Sequence, residues 1–348
     1  MRRKACGRGG AERAAGPADV AEDIFMENIK MVCTVIIPCY NSKKHIDTCL
    51  KSLKKQTFKG FGIIIVDNGS TDGTSDYVKE KYPEVKLIAL PENTGFANAV
   101  NVGIKAADTE YVFLLNDDTA CDEDAISVLV SSISRSEKIF SVQAKMMQMK
   151  KPELIDDCGD YYSALGWAFS PGRDKESNYI RKRTLLTSAC AGAAMYRRKL
   201  FDEIGYFDEA HFCYLEDIDV GYRARLKGYH NVCEPAAVVY HEGSASSGSR
   251  YNAFKVELTA ANNLYLIYKN MPLWQILINL PFIIAGILIK HVFYTKRGLG
   301  RAHLKGLRKG ISKIFKNTDK KVRFGKKEML QSCKMQLELW INMAKRLE

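Results

Sequence analysis

The chain has 348 residues, of which 46% are hydrophobic and 26% charged, a balance typical of a globular protein with an ample core. Its ten cysteines are scattered singly, with no CxxC pair and no regular spacing, which argues against a zinc site and against a disulfide framework. We therefore expect free thiols in a reducing compartment.

The net charge of +12 is concentrated near the C-terminus. Residues 290–348 contain seventeen Lys and Arg against four acids, a net charge of +13, so the rest of the chain carries −1. Nucleic acid and an anionic membrane surface are the two generic partners of such a basic tail. The basicity therefore belongs to the tail and not to the part expected to carry the chemistry.

The first thirty residues contain Arg, Gly and Ala but almost no large apolar side chains. No hydrophobic stretch follows the opening Met-Arg-Arg-Lys, so a secretory signal is not expected. We predict a disordered extension over residues 1–30, with Met26 or Met31 as an alternative natural start.

From residue 32 onward, short apolar runs rich in β-branched residues alternate with helical patterns. Strands are predicted at 32–38, 62–66, 85–90 and 111–115, each followed by a segment with helical signals. Four such alternations within about 100 residues favour parallel strand pairing and right-handed crossovers, and hence an α/β fold.

Three of these strands end in polar clusters. The clusters are Cys39-Tyr40-Asn41, Asp67-Asn68 and Asn116-Asp117-Asp118. Because the carboxyl ends of parallel strands lie at one edge of a sheet, the clusters should converge there and form a nucleotide pocket. Carboxylates at that edge can hold a divalent cation and, through it, a phosphate, although Asp and Asn are also common helix caps. The chain lacks the GxGxxG and GxxxxGK[ST] patterns of dinucleotide-binding and P-loop proteins.

Four motifs in this order resemble those of family 2 glycosyltransferases. They are Pro38-Cys39-Tyr40-Asn41, the segment from Val66 to Thr74 (VDNGSTDGT), Asn93-Thr94-Gly95-Phe96-Ala97 and Leu115-Asn116-Asp117-Asp118. The resemblance covers roughly residues 31–250 and is closest to the rhamnosyltransferase and galactofuranosyltransferase-like members. It implies the GT-A fold, a mostly parallel sheet with helices on both faces, and a nucleotide-diphosphate sugar as donor.

The resemblance also implies roles for individual residues. Tyr40 and Asp67 would contact the nucleobase, and Asn93 would lie near the nucleotide or the sugar. Asp118 would bind the metal, with Asn116 standing where a strict DxD motif has its first Asp. The remaining residues expected to bind the donor are Pro38, Asn41, Asn68, Gly95 and Asp117, together with Asn116 itself.

Residues 144–186 have little periodicity but contain several aromatic side chains. These side chains are either ordinary packing residues or part of an acceptor-side loop in which Trp167 presents a flat face to a sugar ring. The polar segment 244–251 is equally compatible with a lid over the donor and with a linker.

Two acids and one histidine complete the expected site. Glu216 and Asp217 lie in the first turn of a predicted helix, where acids interact favourably with the helix dipole. The resemblance instead assigns Asp217 as the catalytic base, with Glu216 beside it. It also makes His241 a ligand of the metal, Mn2+ or Mg2+, and imidazole suits a manganese-like ion better.

The most apolar stretch of the chain is 271–289. Its length permits a membrane span, an interfacial or re-entrant segment, or a buried helix in the core or in an oligomer. Gln275, Asn279 and Pro281, and the basic tail that a span would export, favour the interfacial alternative on the cytosolic side. Residues 326–347 form a second amphipathic pattern with a stripe of Met329, Cys333, Leu337 and Trp340.

These observations predict three regions. They are a disordered extension (1–30), a GT-A domain (31–250) and a basic, helical, membrane-associating region (251–348). The expected activity is inverting transfer from a dTDP-rhamnose-like or UDP-sugar donor to a glycan or a lipid-linked glycan, at the cytoplasmic face of the membrane and without nucleic acid. A sugar-phosphate nucleotidyltransferase and a non-catalytic glycan-binding or scaffold protein are the alternatives, and the oligomeric state stays open.

Overall fold

The structure is a computed structural model that describes residues 30–243 and 251–346. The predictions for the N-terminal extension and for the lid or linker at 244–251 therefore fall almost entirely outside the described residues.

A single large sheet organises the fold. Its strands, in chain order, are β1 Cys33–Cys39, β2 Phe61–Asp67, β3 Lys86–Ala89, β4 Tyr111–Leu115, β5 Thr119–Cys121, β6 Ile139–Gln148, β7 Lys151–Asp157, β10 Thr184–Leu186, β11 Ala193–Arg197 and β12 His230–His241. A separate hairpin pairs β8 Tyr161–Tyr162 with β9 Ala168–Phe169. The main path runs β10-β12-β6-β11-β4-β1-β2-β3, with β5 paired to β12 and β7 to β6.

The first four strands pair in parallel, as predicted. β1 lies between β2 and β4, and β3 extends the sheet beyond β2. β11 then joins β4 and β6 in antiparallel orientation, while β6 and β12 are parallel to each other. This arrangement places the ends of β1, β2 and β4 at the same edge, and the late strand β12 ends nearby.

Helices cover both faces of the sheet because successive strand side chains point to opposite sides. On one face, Val35 and Ile37 of β1 pack with helices α1 Ile46–Lys54, α2 Thr74–Lys81 and α4 Ala125–Ser134. On the other face, Ile36 packs with α3 Phe96–Ala106, α5 Phe201–Ile204 and α6 Glu216–Leu226. The predicted mostly parallel sheet with helices on both faces is confirmed.

Four further helices follow the sheet: α7 Ala253–Asn270, α8 Leu273–Thr295, α9 Gly300–Lys316 and α10 Lys326–Lys345. The backbone of α9 lies close to α7 because Gly306 and Gly310 have no side chains there; a Cβ at Gly306 would collide with the carbonyl oxygen of Glu257. The apolar stretch is one continuous helix that includes Pro281. Among the described residues, α8 is the one helix long and apolar enough to cross a membrane, and only 17% of its most apolar window is buried.

Candidate functional site

A cavity of about 600 Å³ lies at the edge of the sheet where β1, β2 and β4 end. Most of the residues singled out in the sequence line it, although they come from distant parts of the chain. These are Pro38, Tyr40, Asn68, Asn93, Gly95, Asn116, Asp117, Asp118, Glu216, Asp217 and His241. The parallel strands cause this convergence, since each ends its apolar run at the same edge.

Two of the predicted donor-binding residues shape the cavity rim without lining the cavity. Asp67 accepts hydrogen bonds from the backbone N–H of Ser70 (3.0 Å) and from the Ser75 hydroxyl, which fixes the turn after β2. The side-chain oxygen of Asn41 accepts from the backbone N–H of Thr71 at 2.9 Å. Asn41 therefore ties the ends of the first and second strands together, whereas Asp67 shapes the turn after the second strand. The proposed contacts of both residues with the nucleotide stay predictions.

The Asn93-Thr94-Gly95 segment is held by Asn68. The Asn68 side chain accepts from the backbone N–H of Thr94 (3.0 Å) and donates to the side-chain oxygen of Asn93 (3.1 Å). Gly95 has a φ of +89°, and a Cβ there would lie 2.6 Å from the ring of Phe212. Glycine is required at this position because the loop that leads to Asp217 lies directly against it.

Asp118, His241 and Asp156 form a linear hydrogen-bonded set at one end of the cavity. The Nε2 atom of His241 lies 3.2 Å from Oδ1 of Asp118, and its Nδ1 lies 2.6 Å from Oδ2 of Asp156. Burial lowers the pKa of His241, but the hydrogen bonds to the two carboxylates outweigh it and raise the pKa to about 10. In this structure the protonated imidazole of His241 thus donates one hydrogen bond to each carboxylate and holds the two together.

The same three residues fit a divalent cation. Two ligand atoms at right angles, each about 2.1 Å from an ion, are about 3 Å apart, which is close to the separation of Asp118 Oδ1 and His241 Nε2. Asp156 would then accept the remaining imidazole proton, the usual outer partner of a metal-bound histidine. The donor set of one carboxylate and one imidazole suits Mn2+ in particular.

Asp117 faces a different partner. Its carboxylate accepts a hydrogen bond from the hydroxyl of Ser42 and is 8% exposed. Burial raises the pKa of Asp117 to about 6, and the neighbouring charge of Asp118 acts in the same direction. Asn116, in place of a third acid, limits the negative charge that this turn must hold without a cation.

Asp217 and Glu216 line the cavity from the start of α6. The Oδ1 atom of Asp217 accepts from the backbone N–H of Ile218 at 2.8 Å. Burial raises the pKa of Asp217 to about 6. Burial also raises the pKa of Glu216 well above its ordinary value, with Asp217 contributing, and Oε2 of Glu216 has no hydrogen-bond partner among the described residues. Two carboxyl groups with different environments thus share one wall of the cavity.

The loop that positions Asp217 has an unusual backbone. Phe212, Tyr214 and Leu215 have φ values of +63°, +68° and +68°. A positive φ is unfavourable for residues other than glycine. Asn262 of α7 stabilises the loop, since its buried Nδ2 donates to the carbonyl oxygens of His211, Cys213 and Tyr214 at 2.7–2.9 Å. Lys313 of α9 donates in turn to the side-chain oxygen of Asn262 and to the carbonyl oxygen of Ala210.

The sequence reasoning missed three charged residues of the site. Asp160 and Lys255 line the cavity, and Asp156 contacts His241. Burial raises the pKa of Asp160 well above its ordinary value, and the charge of Asp157 adds to this effect. The signal that could have identified the two aspartates is the acid-rich segment Asp156-Asp157-Cys158-Gly159-Asp160, which interrupts otherwise unremarkable sequence.

A second group of potential metal ligands lies outside the cavity. Asp208, His211 and Asp219 place one ligand atom each within 4.8 Å of one another, and all three are buried. The ammonium group of Lys269 lies between the two carboxylates, 2.7 Å from Asp208 and 2.9 Å from Asp219. Arg223 adds an ion pair to Asp219 at 2.8 Å. The negative charge is thus already compensated by side chains, so we interpret this group as a structural ion-pair network.

Trp167 lies on the hairpin β8–β9 but does not line the cavity; its neighbour Ala168 does. The indole Nε1 donates to the carbonyl oxygen of Gly286 in α8 at 3.2 Å, and Nζ of Lys290 lies 5.5 Å from the centre of the ring. In this structure Trp167 therefore connects the hairpin to α8, and its proposed contact with an acceptor sugar stays a prediction.

Comparison with known proteins places this arrangement among sugar-transferring proteins. Residues 34–205 match the model of the family described as Glycosyl transferase family 2. A relative from Mycobacterium tuberculosis, N-acetylglucosaminyl-diphospho-decaprenol L-rhamnosyltransferase, is 29% identical over 246 residues, which are 62% of this chain and 78% of the relative.

Two solved structures share the fold. The mannosyltransferase PcManGT from Pyrobaculum calidifontis, solved with GDP-Man and Mn2+, superimposes with a TM-score of 0.52 at 15% identity and covers 92% of this chain and 83% of its own. GalNAc-T7, solved with UDP, GalNAc and Mn2+, has a TM-score of 0.55 at 16% identity, with 68% of this chain and 48% of its own covered. This chain thus spans about half the length of GalNAc-T7.

Proposed function

Since this chain belongs to glycosyl transferase family 2 and is a glycosyltransferase, we propose that it moves a sugar from a nucleotide-diphosphate donor to a hydroxyl group of a lipid-linked glycan. One observation carries the proposal. The predicted metal and base residues and most of the predicted donor residues, from segments as distant as Tyr40 and His241, line a single cavity. The donor class we propose is dTDP-rhamnose-like or a UDP-sugar, and the name of the mycobacterial relative supports a lipid-diphosphate acceptor.

Each wall of the cavity has its own part in the proposed reaction. Asp118 and His241 would hold Mn2+ or Mg2+, which when bound neutralises charge that develops on the departing nucleoside diphosphate. The residues at the ends of β1 and β2 hold the nucleotide. Asp217 takes the proton from the acceptor hydroxyl, whose oxygen forms the new bond to the anomeric carbon as the bond to the diphosphate breaks. Attack from the side opposite the leaving group inverts the anomeric configuration.

We propose the cytoplasmic face of the membrane as the place of this reaction. A lipid-linked acceptor is confined to the bilayer, and the exposed apolar helix α8 and the basic residues after Lys290 are suited to an anionic membrane surface.

Binding of a donor should raise the melting temperature of the protein, because a ligand of the folded state stabilises it by mass action. At a concentration 100 times the Kd, the expected stabilisation is about 2.7 kcal/mol. We expect one nucleotide sugar of a panel to give this shift only with Mn2+, and the Asp118→Ala variant to lose it. The exposed Asp108→Ala variant is the matched control and should keep it. A folded protein that responds to no donor would support a non-catalytic glycan-binding protein instead.

The pH dependence of kcat/KM should report the proposed base. Burial raises the pKa of Asp217 to about 6, and only the ionised carboxylate can accept the proton of the acceptor. We therefore expect kcat/KM to fall as the pH drops through about 6, roughly tenfold for each further pH unit. A steady-state profile between pH 4.5 and 8 at saturating Mn2+, with unfolding monitored in parallel, measures it. A flat profile across pH 6 would exclude Asp217 as a base with this pKa.

A further inference from the structure

Helix α8 is buried on its polar side and exposed on its apolar side. Its four buried residues are Gln275, Asn279, Ile283 and Gly286, whereas nine of its large apolar side chains are between 39% and 68% exposed. A helix at the surface of a water-soluble protein has the opposite arrangement, with its apolar stripe facing the core. This inversion indicates that the exposed side of α8 is suited to an apolar environment and not to water.

The buried side of α8 is held by a polar network. Gln275 accepts a hydrogen bond from the hydroxyl of Tyr222 in α6 at 3.0 Å. The side chains of Asn279 and Gln336 exchange two hydrogen bonds of 2.8 and 2.9 Å, and the indole of Trp340 donates to Asn279 at 3.1 Å. The side chains of Gln275 and Asn279 thus both have protein partners, so their burial is a consistent feature of the helix.

The two helices next to α8 also expose large apolar side chains. In α9 the buried residues are glycines and His303, while Ile311 and Phe315 are 52% and 75% exposed. In α10 the buried side is mixed, with Ser332 and Gln336 beside Met335 and Leu339, while Leu337 and Ile341 are 59% and 54% exposed. Both helices contact α8, so their exposed apolar side chains extend the surface that α8 begins. We call this surface the apolar outer face, represented by Leu277, Ile284, Leu288, Phe315, Leu337 and Ile341.

The charge beside the outer face is positive. Helix α9 contains no Asp or Glu, and its Arg301, Arg308 and Lys316 form no ion pair with any carboxylate in 30–243 or 251–346. Anionic lipid headgroups complement such a surface. A second copy of the chain does not, because a symmetric contact through this face would bring the same cations together. The combination of apolar side chains and adjacent cations is that of a helix lying in a membrane interface.

The contacts of α8 also decide its orientation. From its first turn to its last, α8 contacts the rest of the chain: Gln275 with Tyr222, Gly286 with Trp167, and His291 stacked on His303 at 5.6 Å. A helix of 23 residues is about 34 Å long, close to the thickness of the hydrocarbon layer. If α8 crossed the membrane, partners that belong to the catalytic sheet's own helices and hairpin would have to enter the bilayer with it.

We propose that the apolar outer face of α8, α9 and α10 inserts into the anionic leaflet with α8 parallel to the membrane plane. The inference deepens the proposed membrane location and names its partner, a surface of anionic phospholipid. Insertion would place the hairpin that carries Trp167 and Ala168 next to the headgroups, because Trp167 is hydrogen-bonded to α8. The lining residue Ala168 would then bring the cavity close to a lipid-linked acceptor.

Vesicle binding of the full chain tests the insertion. We expect sedimentation with phosphatidylcholine vesicles that contain phosphatidylglycerol, and at least a tenfold loss of binding in the Leu277→Asp/Leu288→Asp variant. Both leucines are 58% exposed, so the variant should fold with an unchanged melting temperature. The control Leu185→Asp changes a leucine that is 45% exposed on β10 and should bind like the wild type. Arg308→Gln/Lys316→Gln should reduce the preference for anionic vesicles roughly fivefold for each cation removed.

Three results would overturn the proposal. The first is the absence of vesicle binding, and the second is equal binding by the wild type and the double Asp variant. The third is a wild-type dimer that this variant dissociates without any vesicle binding, which would assign the face to a second copy. The orientation has its own test, in which a C-terminal tag on vesicle-bound protein is digested by external protease if α8 lies in the plane and is protected if α8 spans. The assays contain no sugar nucleotide, so their outcome is independent of the proposed transfer reaction.

Discussion

Asp217→Asn is expected to lower kcat by about 10²- to 10⁴-fold, the usual contribution of a general base. The substitution keeps the shape of the side chain and its hydrogen bond with the N–H of Ile218 but removes the ability to accept a proton. Donor binding should persist, because the proposed metal and nucleotide residues belong to other elements of the fold. Initial rates with saturating donor and acceptor, together with the donor-induced shift in melting temperature, measure the two effects separately.

Glu216→Gln is the matched comparison for this prediction. Burial raises the pKa of Glu216 well above its ordinary value, which favours the protonated carboxyl group, and glutamine resembles that form. We expect the loss of kcat to be less than about tenfold, much smaller than for Asp217→Asn. If the Glu216 variant lost more activity than the Asp217 variant, the base would have to be assigned to Glu216.

Lys269→Met is expected to lower the free energy of unfolding by about 3–5 kcal/mol, because it removes one partner of a buried ion-pair network. Lys269 is 5% exposed and lies between Asp208 and Asp219, which would then be left with less compensation. For a chain of this size the melting temperature should fall by roughly 1–2 °C for each kcal/mol. The exposed Lys305→Met variant, which removes a surface ion pair to Glu257, should lose at most about 1 kcal/mol.

The difference between Lys269→Met and the wild type should depend on pH in a defined direction. Burial opposes the ionisation of Asp208, but Lys269 and Lys320 outweigh it and hold its pKa well below the ordinary value; Arg223 and Lys269 do the same for Asp219. A depressed pKa stabilises the fold at pH values above the unfolded pKa of about 4 and loses this contribution as the pH falls toward the folded value. Urea unfolding of both proteins should therefore give a difference in stability that is constant from pH 5 to 7 and shrinks below pH 4. A constant difference down to pH 3 would contradict this account.

The convergence of the proposed donor-binding residues at one cavity could be predicted because its signals are local. Each of the strands β1, β2 and β4 is a short apolar run followed directly by polar residues, and parallel pairing brings the strand ends together whatever the loop lengths. The proposed metal pair Asp118 and His241 needed more, since only the family resemblance connected residues 123 positions apart. The structure now gives that pair a physical basis in the pairing of β12 with β6 and β5.

Two contacts made by residues outside the recognised motifs could not be predicted from the sequence pattern. Asp156 reaches His241 because β7 folds back on β6, and its sequence Lys-Pro-Glu-Leu-Ile-Asp-Asp has neither the apolar run nor the alternation expected of a strand. The burial of Lys269 could not be predicted either, because a lysine near the end of a helix normally faces water. Its partner acids lie 50 and 61 residues earlier, and only the packing of α7 brings them together.

The amphipathic helices illustrate a different limit. The stripe of Met329, Cys333, Leu337 and Trp340 was identified from its spacing, but periodicity does not say which side of a helix faces the protein. In the structure this stripe is the exposed side of α10, and polar residues such as Ser332 and Gln336 face inward. The rule that the apolar side of a helix faces the protein core assumes that its other side faces water. The sequence of a helix does not state what surrounds it.

The strained loop before Asp217 has a consequence for how this chain can be divided. Each of the three residues with a positive φ costs about 1–3 kcal/mol. The hydrogen bonds that offset this cost come from Asn262 and, through it, from Lys313. Both partners follow residue 251, on the far side of the boundary that the motifs suggest. The loop and its supports therefore form one thermodynamic unit that the linear order of the chain conceals. A chain that ended before Ala253 would keep the carboxylates of the cavity. It would lack Asn262 and Lys313, whose hydrogen bonds hold the loop before Asp217 in its conformation.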